Sequence, residues 1–91
     1  MAAVLVGAFE GDFDAFKQQF DSDPLGRKQV AKGHTLLRSV DNPNQFFVRV
    51  DFDSADAAKE FQETVRGSDV LEGFEVRLAP TVTEVADQAT Y

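Results

Sequence analysis

The order of its apolar patterns narrows what this chain can fold into more than any other feature. Along 91 residues the sequence reads strand, amphipathic helix, strand, tight turn, strand, amphipathic helix, strand. A βαββαβ order predicts an α+β, ferredoxin-like protomer, with one four-stranded antiparallel sheet and its helices on a single face. The other sheet face is then left for a second copy of the chain to cover. A single domain of this length buries only roughly two-thirds of its unfolded surface, so pairing with itself is an expected source of further stability.

The strand from Ala3 to Phe9 is apolar at every position, as a central strand covered on both faces should be. Asp12 is placed to cap a helix whose Phe13, Phe16 and Phe20 share one stripe. Asp23-Pro24 reads as the start of a short helix from Pro24 to about Ala31, carrying Arg27 and Lys28 on a solvated face. Strands are expected at 34–40 and 45–53, joined by the turn formers Asp41 to Asn44. Asp53 or Ser54 opens a second main helix that runs to about Arg66, with Ala58, Phe61 and Val65 inward and Gly67 at its end. The last strand spans about Glu75 to Thr83, and 84–91 form a polar tail of this one domain, 1–91.

Sixteen acidic against nine basic side chains give a formal net charge of −7. Such a field repels phosphate backbones and anionic membranes, so neither nucleic acid nor a membrane surface is an expected partner. There is no cysteine, which removes disulfides, thiolate metal sites and thiol nucleophiles. With no basic stretch ahead of the first apolar run, the chain reads as cytoplasmic.

A hairpin loop at Asp41–Asn44 would set Val40 opposite Gln45, Arg38 opposite Phe47, Leu36 opposite Arg49 and His34 opposite Asp51. These residues would share the sheet face that points away from Phe46, Val48, Val50 and Phe52. The lone histidine would then sit beside a carboxylate. A His–Asp pair can act as a general base, with Arg49 or Arg38 stabilising developing negative charge; a partly solvated cross-strand pair at an interface rim fits the same pattern. Arg38, Arg49 and Arg77 could together recognise an anionic ligand, or form ion pairs with Asp51 and Glu75. Asp51, Asp53 and Asp56 lack the Gly and closing Glu of a calcium loop, and one His without Cys leaves no expected zinc or iron site. Nine Phe without Trp serve either as packed core or as the wall of an apolar pocket, with Phe16, Phe20 and Phe61 as its lining.

Three stretches carry a resemblance: Gly11-Asp12-Phe13-Asp14-Ala15-Phe16-Lys17, Asp41-Asn42-Pro43-Asn44, and Phe52-Asp53-Ser54-Ala55-Asp56-Ala57-Ala58. In order and spacing they resemble the dimeric α+β-barrel proteins of the antibiotic-biosynthesis-monooxygenase-like superfamily, over nearly the whole chain. The resemblance implies two sheets joined into a barrel with helices outside, and a pocket between helices and sheet. It implies a small aromatic or polyketide-like ligand and either cofactor-independent oxygenation or isomerisation, with no cofactor; a non-catalytic binding or interaction module is the alternative. The absence of Trp, and of His on the second main helix, departs from the haem-degrading members.

Overall fold

The computed structural model describes residues 2–91. Its elements are β1 (Ala3–Glu10), α1 (Phe13–Ser22), α2 (Arg27–Val30), β2 (Gly33–Arg38), β3 (Gln45–Phe52), α3 (Ala55–Arg66) and β4 (Glu75–Glu84). The strands form one antiparallel sheet in the order β2-β3-β1-β4, and the helices cover one face of it. The all-apolar β1 is central, as expected. Its Ala3, Leu5 and Phe9 face the helices, while Val4 and Ala8 are buried on the other side by neighbouring strands.

Local chemistry sets the helix limits. The Asp12 carboxylate accepts the N–H groups of Asp14 and Ala15 at 3.0 and 3.3 Å, capping α1. Ser54 does the same for α3, accepting from Ala57 at 3.2 Å. The expected helix start at Pro24 is corrected. Asp23 has φ 55°, a left-handed residue that ends α1 by donating its N–H to Phe20 O. Its backbone therefore cannot also be the extended cap of a helix beginning at Pro24. Residues 23–26 instead form a turn closed by Gly26 N–H to Asp23 O at 3.2 Å, and α2 starts at Arg27. The Asp23 side chain still serves α2, with Oδ2 accepting from Lys28 N–H at 3.1 Å.

The β2–β3 register also differs from the expected one, by one residue. His34 lies opposite Val50, Leu36 opposite Val48 and Arg38 opposite Phe46, so these three point toward the helices. Gly33, Thr35 and Leu37 pair with Asp51, Arg49 and Phe47 on the outer face. The cause is a longer loop. Ser39 N–H donates to Gln45 O at 2.9 Å and leaves residues 40–44 outside the ladder. Ser39 Oγ accepts from Asn42 N–H, and Asn42 Oδ1 from Asn44 N–H, each at 3.1 Å, so side chains hold the turn that the strand was expected to occupy. Val40 is 98% exposed in that loop. The shift turns Leu36 into the core, and a one-residue slip flips every other side chain with it.

β1 and β4 are out of regular step around Gly7, which faces both Ala79 and Pro80. Pro80 O leaves the ladder and accepts from Gln62 Nε2 of α3 at 2.8 Å. On the uncovered face, Leu37, Phe47, Ala8 and Leu78 stand in one cross-strand row spanning all four strands. Leu37, Phe47 and Leu78 are partly exposed there.

The core is largely phenylalanine. Phe16 packs at 4.6 Å between ring centroids from Phe46, 5.5 Å from Phe74, 5.6 Å from Phe20 and 6.1 Å from Phe9. Phe46 is fully buried at the centre of this group. Phe46→Ala is expected to lower stability by about 3–5 kcal/mol, measured as the shift in urea midpoint at unchanged slope.

Candidate functional site

An apolar cavity of about 90 Å³ lies between the helices and the sheet. Phe16 and Phe20 of α1, Phe61 and Val65 of α3, Leu5 of β1 and Pro80 of β4 form its main walls. Each wall follows from a local feature. The i, i+4 spacing of Phe16 and Phe20 puts both rings on the sheet side of α1. The irregular step in β4 brings Pro80 to the space. Gly7 keeps the floor low, since a Cβ there would stand 2.9 Å from the ring of Phe9.

The polar end of the cavity comes from Asp23 and Arg27. The expectation that Arg27 belongs to a solvated face is corrected, because it is only 5% exposed. Its guanidinium carbon lies 3.5 Å from the centroid of the Phe20 ring, a stacked cation–π contact. Nη1 donates to Phe20 O at 2.9 Å and stands 3.9 Å from Asp23 Oδ1. The positive group therefore meets the carbonyl end of α1, whose own last turn carries no basic residue. Burial pulls the Arg27 pKa down, opposed by the carboxylates of Asp23 and Asp21; a guanidinium starts so high that it stays charged. Arg27 Nη2 and Asp23 Oδ1 are buried without a hydrogen-bond partner.

The residues singled out from sequence divide three ways. Phe16, Phe20 and Phe61 line the cavity together. His34 and Arg38 are on the helix side of the sheet but outside that lining: His34 meets the Phe20 ring edge-on at 4.8 Å, and Arg38 lies 5.2 Å over Phe13. Asp51 and Arg49 are on the outer face, joined by a 3.1 Å ion pair. The expected His34–Asp51 pairing is thus corrected, since the longer loop puts the two side chains on opposite faces. Nor do the three arginines converge, for Arg77 is held on Glu10 and Glu75 at 3.0 and 3.1 Å. Among the described residues, no three His, Asp or Glu side chains group to hold a metal ion.

His34 titrates low. Burial is the main cause, Arg27 repels the imidazolium further, and Asp21 acts in the opposite direction. The ring is therefore mostly neutral near pH 7.

No protein-family model matches the sequence, and no curated protein matches it. Solved structures do match. SnoaB, a cofactor-independent oxygenase from Streptomyces nogalater, aligns with a TM-score of 0.73 at 18% identity, over 97% of this chain and 95% of its own. An antibiotic-biosynthesis-monooxygenase-like protein of Deinococcus radiodurans gives 0.69 at 14% identity, over 100% and 98%. Rv0793 of Mycobacterium tuberculosis gives 0.64 at 17% identity, over 99% and 100%. The chain thus shares, over its whole length, the fold of the antibiotic-biosynthesis-monooxygenase-like proteins that its sequence resembles.

Two pH effects are expected from the position of His34. Its ring protons should titrate in NMR spectra with a pKa below 6.5, and Arg27→Met should move that value part of the way back up. Because folding lowers the proton affinity, the unfolded chain binds the proton first. Stability contributed by neutral His34 is present above about pH 6.5 and is lost as pH falls toward the lower folded pKa; urea midpoints of the protein and of His34→Ala, compared across that window, read it.

Proposed function

We propose that the protein encloses a small, largely apolar or aromatic organic molecule between its helices and its sheet. The observation that carries this reading is the cavity itself, walled by Phe16, Phe20 and Phe61 and closed at one end by a buried arginine. Apolar walls with few convergent polar groups are the usual make-up of a ligand site. At about 90 Å³ the space is smaller than the ~150 Å³ cavity that accepts benzene in an engineered protein, so a bound ring displaces α1 or α3 outward.

Cofactor-independent monooxygenation is the activity we assign to this site, supported by the shared fold with SnoaB, itself a cofactor-independent oxygenase. In such chemistry the substrate supplies an acidic C–H, and the protein binds, orients and deprotonates it. His34, one ring behind the lining, is the base to test, acting without Asp51. A non-catalytic binding module is the second reading. It is favoured by one observation: the ionisable side chains of the lining are Asp23 and Arg27 alone, and neither is placed as an ordinary base.

Two copies of the chain would cover the row Leu37, Phe47, Ala8 and Leu78, giving a homodimer, and among the described residues no helix is long and apolar enough to cross a membrane. The lack of cysteine fits a reducing, cytoplasmic setting. Oxygen uptake in the presence of a panel of phenols and anthrones separates the readings. Turnover abolished by His34→Ala with binding retained supports the enzyme, whereas binding without turnover by the unmodified protein supports the module. Light scattering should give about 20 kDa, twice the 10.0 kDa chain. Phe47→Glu should give a folded monomer, and a monomeric unmodified protein would refute the dimer.

A further inference from the structure

Within the cavity reading, on which this step rests, we infer that Asp23 and Arg27 form a recognition site for one hydroxyl group, an alcohol or phenol carried on a compact apolar ring. Arg27 spends Nη1 on Phe20 O and presses its plane on the Phe20 ring, which leaves Nη2 without an acceptor. Asp23 spends Oδ2 on Lys28 N–H, which leaves Oδ1 without a donor. Both side chains line the same cavity, and at 3.9 Å the Nη1–Oδ1 separation is too long for the pair to satisfy itself. Buried polar groups in native proteins find partners, so one unsatisfied donor and one unsatisfied acceptor, on two residues of the cavity wall, call for a molecule that brings both.

A hydroxyl is the smallest uncharged group that does so, its lone pair accepting from Nη2 while its proton goes to Oδ1. A carboxylate or phosphate would satisfy Arg27 but would face the Asp23 charge, and an ammonium would face Arg27. A ketone or ether accepts without donating. Apart from Gln19 the remaining lining side chains are apolar, and the small volume suits a single ring best.

The test uses three single-ring probes of similar shape: p-cresol, which donates and accepts, 4-methylanisole, which only accepts, and p-xylene, which does neither. Their dissociation constants are read from NMR chemical-shift titrations of the full chain. The unmodified protein is expected to bind p-cresol on the order of tenfold more tightly than p-xylene, with 4-methylanisole between, as charge-assisted hydrogen bonds imply. Arg27→Met should bring 4-methylanisole down to p-xylene, while p-cresol, still able to donate to Asp23 Oδ1, keeps part of its advantage. Asp23→Asn should remove only the advantage of p-cresol over 4-methylanisole, because the amide oxygen is needed at Lys28 N–H and its NH2 then faces the cavity. That second change preserves the contact to α2, so it decides the matter if Arg27→Met does not fold. Equal affinities of p-cresol and p-xylene in the unmodified protein would overturn the inference, the two open groups then holding a water only, while the cavity reading stands. A preference for p-cresol that neither substitution alters would overturn it as well. Failure of every probe to bind would remove the cavity reading and this inference together.

Discussion

The packing of Phe16 into the rings of Phe46, Phe9 and Phe74 is the contact on which the rest of the molecule depends. It seats α1 on the sheet over the paired strands β1 and β3, where Phe9 and Phe46 lie opposite each other. Each aromatic pair adds roughly 0.5–1.5 kcal/mol beyond the burial of its area, and one side chain makes four such pairs. One turn further along, Phe20 is thereby fixed over the cavity. Its ring contacts Phe16, His34 and Arg27, and its carbonyl accepts from Arg27. The site is thus an extension of the core.

Much of this architecture is legible in the sequence. The period-3.6 stripes of α1 and α3, the unbroken apolar run of β1 and the cap Asp12 each specify their own element, and of the two candidate caps for α3, Asp53 and Ser54, the structure uses Ser54. The hairpin register was not legible, for a physical reason. Asp41 to Asn44 is rich in turn formers, but Ser39 and Asn42 close a loop one residue longer through side-chain bonds that no hydrophobic pattern records. Moving the ladder by one residue sent His34 to the helix side and left Asp51 outside, so a plausible dyad vanished with a small change in loop length.

Arg27 was illegible for a different reason. α2 is a single turn, too short to show a buried face by periodicity, and Arg27 stands among other basic residues that do lie in solvent. Its burial depends on two non-local facts, the left-handed end of α1 at Asp23 and the placement of the Phe20 ring. The one sequence signal was the i, i+4 spacing of Asp23 and Arg27, which gains meaning only once α1 is known to stop there. Of the four phenylalanines of the lining, Phe16 and Phe20 were legible from their spacing along α1 and Phe61 from the inward stripe of α3, whereas Phe9 belongs to the apolar run of β1 and was not singled out.

The irregular step in β4 has an effect at a distance from the cavity. β4 is an outer strand of the sheet, with one side of its backbone unmatched by any neighbour in the chain. A straight strand in that place would offer a continuous template on which stray polypeptides could stack into fibrils. Pro80 withholds a donor, the extra residue opposite Gly7 throws the spacing out, and Gln62 already occupies the carbonyl of Pro80. The kink that shapes the interior thereby also guards the rim against amyloid-like growth.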